Sequence, residues 1–160
     1  MQQQTRRVVY GGLMAVLILV ATAYIRIPTS LGYIHMGDGV IFVAAAILGG
    51  PVAGLAAGVG SMLADLLAGY PMYAVVTFVI KGLMGLLAGL YLRKSRQVWS
   101  AALCLLLLEG LMVVGYLLFE SALYGFVAAL GAMWFNLVQG LGGTVVGTAG
   151  IQFIGKLRKG

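Results

Sequence analysis

Six apolar blocks run along this chain, and only short breaks separate them. The first block ends at Arg26-Ile27-Pro28, and a loop, Thr29-Ser30-Leu31-Gly32-Tyr33-Ile34-His35, follows. Gly49-Gly50-Pro51, Gly69-Tyr70-Pro71, Arg93-Lys94-Ser95-Arg96 and Glu120-Ser121 mark the later breaks. Within the blocks the apolar residues are continuous and do not alternate, which selects helices over strands. The pattern predicts helices over about 7–25, 37–48, 52–68, 72–92, 98–119 and 124–154. Most approach the ~20 residues that cross a bilayer, whereas the second is short for a full span. Pro28 pushes the residue before it toward extended geometry and stops the first helix. Pro51 opens the third, where its missing N–H costs nothing. Residues 1–6 are polar and read as a frayed end.

Composition settles the solvent. The chain is 62% hydrophobic and 9% charged, with mean hydropathy +1.06. A soluble domain carries roughly 25% charged residues, so the fold class is an all-α integral membrane protein, a single transmembrane domain over 1–160. The net charge of +6 does not point to nucleic acid. The basic residues flank apolar blocks in three short clusters, the pattern of a cytoplasmic membrane face. With the N-terminus, the 93–96 loop and the C-terminus all inside, the number of crossings between clusters must be even. Reading 37–69 as one bent helix would put Arg93 outside. Treating Gly49-Gly50-Pro51 as a true turn gives six transmembrane helices with both termini cytoplasmic, and only Arg26 outside.

Charges inside apolar helices are expensive and mark function. Lys81 lies ten residues past Pro71, near the bilayer middle, and Glu109, Asn136 and Gln139 lie comparably deep. Asp65 sits about one turn from the outer end of its helix, and His35 and Asp38 stand where the second helix begins. These groups fall in the outer half or at the midplane, which fits a pocket that opens outward better than a pore, since a pore needs polar lining on both sides. Tyr73, Thr77 and Lys81 share one helical face; so do Glu109, Met112 and Tyr116, and again Asn136, Gln139 and Gly143. These three faces are expected to converge on one pocket, with the 27–36 loop as a lid. An unpaired charge at the bilayer centre costs at least ~2.5–3.5 kcal/mol, so Lys81 is expected to pair with Glu109 or Asp65, structurally, functionally or both. Asp38 is expected to cap the second helix. The one His and one carboxylate of His35-Met36-Gly37-Asp38 are too few for a metal site. Tyr33, Tyr73 or Trp134 could stack on a flat ring.

Other features carry less. Gly54, Gly58, Ser61 and Asp65 form a stripe that permits close helix approach, and Gly11 and Ala15 form a smaller one. Cys104, the only cysteine, reads as packing and excludes an internal disulfide. Arg6 and Arg7 precede the first apolar block, but no small-residue cleavage site follows it, so no cleavable signal is expected. Gly150 to Leu157 nearly matches a phosphate-binding loop, but Leu157 replaces the Ser or Thr that would hold Mg²⁺. Neither ATP hydrolysis nor any other enzymatic activity is expected, and no cofactor or metal.

The stretches I-H-M-G-D-G, I-L-G-G-P-V-A-G-L-A-A-G-V-G-S-M-L-A-D-L-L-A-G-Y and F-V-I-K-G-L-M-G-L-L-A-G resemble the substrate-binding S component of an energy-coupling factor (ECF) transporter. The resemblance is strongest over 33–92 and is closest to the group linked to riboflavin-, pyridoxine- and hydroxymethylpyrimidine-type substrates. It implies a high-affinity binding subunit in the plasma membrane of a bacterium, multi-pass, that captures a vitamin or its precursor. A separate membrane subunit and two ATPase subunits would power import. The pocket would lie in the outer halves of the last three helices and the loop after the first. The first helix would dock on the membrane subunit through Gly11 and Ala15, in place of the family's pair of alanines. The substrate-binding residues expected on this reading are His35, Asp38, Asp65, Tyr73, Thr77, Lys81, Glu109, Tyr116, Asn136 and Gln139. The alternative is a self-contained proton- or ion-coupled carrier, against which the lack of an internal repeat counts.

Overall fold

The fold is that of a computed structural model which describes residues 2–95 and 97–157. It consists of α1 (Gln2–Tyr24), β1 (Arg26–Pro28), β2 (Tyr33–His35), α2 (Gly37–Leu48), α3 (Gly50–Ala68), α4 (Ala74–Lys94), α5 (Val98–Tyr124) and α6 (Phe126–Leu157). The six expected helices are present, with shifted ends. The N-terminal residues from Gln2 onward join α1 instead of fraying. Glu120 and Ser121 close the last turns of α5 instead of forming a loop. The break falls at Gly125, whose φ of +87° is the left-handed conformation glycine adopts without strain. Residues 150–157 continue α6, so no strand precedes a phosphate-binding turn. Where a loop was expected, β1 and β2 pair antiparallel, with Ile27 opposite Ile34. A turn closes them through the Thr29 N–H on the Gly32 carbonyl, 2.8 Å.

Five helices are long and apolar enough to cross a membrane. The exception is α2, whose 12 residues rise only ~18 Å at 1.5 Å each. Helix α2 is apolar nearly all round, with Ile41, Phe42, Ala44 and Ala45 wholly buried, as suits a helix enclosed by others. The long helices turn their leucines and valines outward (Leu55, Leu67, Val75, Leu107 and Leu118 are exposed), which suits a surface solvated by lipid.

Close approach of α3 and α4 depends on small residues. A side chain at Gly54 would meet the Gly82 carbonyl at 2.9 Å, and one at Gly85 would meet the Ala53 carbonyl at 2.7 Å. Backbones in such contact gain van der Waals energy that larger residues would forfeit. The helices alternate in direction, so Arg6, Arg7, Arg93, Lys94 and Lys156 gather at the end opposite the hairpin, and Arg26 alone of the described basic residues lies at the hairpin end. Arg96, Arg158 and Lys159 of the expected basic clusters lie outside the described residues.

The short α2 leaves a step in the bundle. Its first turn stands beside Lys81, seven residues into α4, which is ~10 Å down that helix. Above it, where a longer helix would continue, the β1–β2 hairpin closes the bundle over a small cavity.

Candidate functional site

Local chemistry sets the walls of this cavity. Helix α3 ends in a Schellman motif: Gly69 is left-handed at φ +85°, the Tyr70 N–H bonds the Asp65 carbonyl at 2.9 Å and the Gly69 N–H bonds the Leu66 carbonyl at 3.3 Å. Pro71 then takes the second position of a turn closed by the Tyr73 N–H on the Tyr70 carbonyl, 3.0 Å. Gly69 and Pro71 therefore aim Asp65, Tyr70 and Tyr73 at the same space.

The resulting cavity is lined by Thr29, Gly32, Tyr33 and His35 of the hairpin, Asp65, Tyr70, Tyr73 and Thr77, Tyr116 and Glu120, and Ala132, Asn136 and Gln139. It encloses about 480 Å³ with its mouth, but only about 40 Å³ of free interior, room for about three waters at ~10–15 Å³ each. That is too little for a six-membered ring. Three bonds hold the hairpin down. The Tyr33 hydroxyl donates to Asp65 Oδ1 at 2.6 Å. The Tyr73 hydroxyl donates to the Leu31 carbonyl at 3.1 Å. The His35 N–H donates to Gln139 Oε1 at 3.1 Å. Aromatic rings meet in a row along the wall, Tyr33 to Tyr70 at 5.5 Å, Tyr70 to Tyr73 at 6.2 Å and Tyr73 to Tyr116 at 6.3 Å between centroids.

Of the expected binding residues, His35, Asp65, Tyr73, Thr77, Tyr116, Asn136 and Gln139 line this cavity. Asp38, Lys81 and Glu109 do not. The expected partner of Lys81, Glu109 or Asp65, is replaced by Asp38: Lys81 Nζ lies 2.6 Å from Asp38 Oδ1, with both side chains wholly buried. Asp38 therefore makes no cap bond at the start of α2. Its second oxygen accepts from Gln139 Nε2 at 2.6 Å, and Lys81 also reaches Met112 Sδ at 3.0 Å. This cluster is the floor beneath the cavity. The three faces do converge as expected, but on this floor as well as on the wall. Glu109 lies behind it, packed against Gly140 and Gly143, which leave room for its side chain; neither of its oxygens has a hydrogen-bond partner. Trp134 faces the groove between α5 and α6, away from the cavity. Tyr70 and Glu120 were not expected at the wall. The Glu120-Ser121 pair reads as a break in the sequence, whereas α5 runs through it to Gly125.

The phenols stay protonated donors. Burial first, then the charge of Asp65, raises Tyr33 far above its ordinary range; burial and Glu120 do the same to Tyr73. His35 moves the other way. Burial pushes its pKa down from 6.5 to about 4, against the pull of Asp38 and with a smaller push from Lys81. The geometry agrees: His35 Nδ1 accepts the Gly37 N–H at 3.1 Å, which a protonated Nδ1 cannot do. Between the two values the unfolded chain binds more protons than the folded one, so the stability that neutral His35 contributes is full above about 6.5 and is lost as pH falls toward about 4. Thermal unfolding of the wild type in detergent should therefore weaken over that window relative to His35→Gln. A difference between the two that is constant with pH would mean that His35 is not held neutral.

Comparison with known proteins agrees with this architecture. The family model for the ECF-type riboflavin transporter, S component, matches residues 2–155. An uncharacterized protein in gap 3' region of Pyrococcus woesei is 36% identical over 146 residues, 91% of this chain and 97% of that one. The thiamine precursor transporter HmpT of Lactococcus lactis subsp. cremoris (strain MG1363) is 35% identical over 121 residues, 75% of this chain and 69% of that protein. The chain belongs to the family of ECF-type riboflavin transporter S components. It is a multi-pass membrane component of vitamin or precursor transport, not an enzyme.

Proposed function

We propose that the chain captures a heteroaromatic vitamin or vitamin precursor under the β1–β2 hairpin and hands it to an ATP-driven import module. The observation that carries this reading is the cavity itself: a row of tyrosines and buried carboxyls above a helix too short to span. Aromatic walls suit a flat ring, and convergent polar groups fix its orientation. The relative named for thiamine precursor transport supports a small heterocycle.

In the same reading all six helices lie within the plasma membrane of a bacterium, with both termini cytoplasmic. The gathering of the described basic residues, save Lys81 in the core and Arg26, at the end away from the hairpin supports that orientation, and the cavity then opens outward. The module is a membrane subunit with two ATPase subunits. Helix α1 is the docking surface, because Val8, Leu13, Val16 and Val20 are exposed along it and a shallow apolar groove runs past Gly11, Gly12 and Ala15.

Uptake by cells that also express the module should collapse on ATP depletion and survive an uncoupler. The reverse pattern would favour a self-contained ion-coupled carrier. Ala15→Trp should leave ligand binding intact while abolishing ATP-driven uptake. Gly12→Trp should do the same at an exposed position where an added Cβ meets nothing within 4 Å. Normal uptake in both variants would remove α1 from the docking surface.

A further inference from the structure

The cavity wall has an unbalanced set of polar atoms. Asp65 and Glu120 are 6% and 5% exposed. Asp65 Oδ1 accepts from the Tyr33 hydroxyl at 2.6 Å, while Glu120 Oε1 lies 3.3 Å from the Tyr73 hydroxyl, whose single proton it shares with the Leu31 carbonyl at 3.1 Å. The other oxygen of each, Asp65 Oδ2 and Glu120 Oε2, is buried and makes no hydrogen bond of good geometry, although the Thr77 hydroxyl also stands close to the Asp65 carboxyl. A buried acceptor left without a donor is unfavourable until something supplies one.

No cation of the wall answers these oxygens. Among the described residues, no Lys or Arg lines the cavity. Lys81 is committed to Asp38 at 2.6 Å beneath the floor. Arg26 stacks on Tyr33 at 5.3 Å and is exposed to solvent. His35 is neutral, because Nδ1 accepts the Gly37 N–H. Four tyrosines line the same space, and an aromatic ring attracts positive charge, as Lys81 Nζ 5.7 Å from the Tyr116 ring and Arg26 5.3 Å from the Tyr33 ring already show.

We infer that the site selects a ring bearing N–H donors or positive charge, and rejects the same ring when it bears a carboxylate or phosphate. This rests on the reading of the cavity as the vitamin site, and it deepens that reading by assigning the ligand's charge class. An amino-substituted or protonated heterocycle brings donors to both orphan oxygens and a cationic face to the tyrosines. An anionic ligand sets acceptors against acceptors, with no free Lys or Arg to pair it.

Binding to the purified full chain in lipid nanodiscs at neutral pH, read by calorimetry, tests this with matched probes. The pairs are pyridoxamine against pyridoxic acid, the hydroxymethyl aminopyrimidine against its carboxylate analogue, and riboflavin against flavin mononucleotide. In whichever pair binds, the amine-bearing or uncharged member should bind at least ~10-fold tighter, the equivalent of ~1.4 kcal/mol. In Glu120→Gln and in Asp65→Asn, each of which keeps the volume, that ratio should shrink several-fold. Equal or tighter binding of the anionic member overturns the charge assignment and leaves vitamin capture standing. An undiminished ratio in both variants overturns the role of the two carboxyls. Failure of all probes to bind overturns vitamin capture itself. Should the variants not fold, the wild-type ratio alone decides.

Discussion

Asp38→Ala is expected to lower the stability of the chain by about 3–5 kcal/mol, the penalty of stranding one partner of a buried ion pair. Lys81 would then be left with Met112 Sδ at 3.0 Å as its remaining hydrogen-bond acceptor, because Glu109 makes no hydrogen bond and Asp65 belongs to the wall above. A charge stranded at this depth faces either lipid-like surroundings or a forced loss of its proton. Lys81→Ala should be nearly as harmful, since it strands Asp38 with only the Gln139 amide, 2.6 Å away. The paired change Asp38→Asn with Lys81→Met removes both charges and keeps most of the volume, so it should regain most of the loss. Thermal and denaturant unfolding in one detergent compares all four proteins. Single variants within ~1 kcal/mol of the wild type would mean that the floor is not held by this pair. The double variant also separates roles: if Lys81 only supports the floor, it should bind ligand within a few-fold of the wild type.

That pair also marks how far the sequence could be read. The helices were legible because apolar runs and Gly-Gly-Pro, Gly-Tyr-Pro and Arg-Lys-Ser-Arg breaks are local signals, and each ended within a few residues of its expected place. The demand that Lys81 have a partner was legible too, from the expense of a lone charge. Its identity was not. Depth counted from the chain's breaks sets the start of α2 at the outer surface, where Asp38 is expected to cap the helix and not to meet Lys81. In fact α2 begins beside Lys81, about a third of the way along α4, because the hairpin carries the chain inward first. The hairpin escaped notice for a related reason. Its strands have three residues each and one contains Pro28, too little for an alternating pattern to register. Spacing on α4, α5 and α6 brings Thr77, Tyr116, Asn136 and Gln139 to the cavity wall, whereas Lys81 and Glu109, on the same faces, lie beneath and behind it. The wall was missed at Tyr70 and Glu120, whose directions depend on how a helix ends.

Gln139 joins the two halves of this architecture, and Gln139→Leu should separate them. Its Oε1 accepts the His35 N–H of the hairpin at 3.1 Å, and its Nε2 donates to Asp38 Oδ2 at 2.6 Å. One side chain thus ties the roof of the cavity to the ion pair beneath it. Leucine keeps the volume but offers neither bond. The His35 N–H loses its partner, at about 1–3 kcal/mol if it stays buried, and the cheaper outcome is for the hairpin to lift toward water. With the hairpin loosened, ligand should leave faster by about 10–100-fold, the equivalent of ~1.4–2.7 kcal/mol, with a smaller change in the rate of entry. Hydrogen exchange should rise over residues 26–36 and stay unchanged in α3 and α4, where the backbone contacts are untouched. Gln139→Glu supplies the control. It can still accept from His35, so the hairpin should remain protected, but it sets a second carboxyl against Asp38 and should lower stability instead. If exchange in the hairpin is unaltered by Gln139→Leu, the roof is held by Tyr33 on Asp65 and Tyr73 on Leu31, and the floor has no hold on the hairpin.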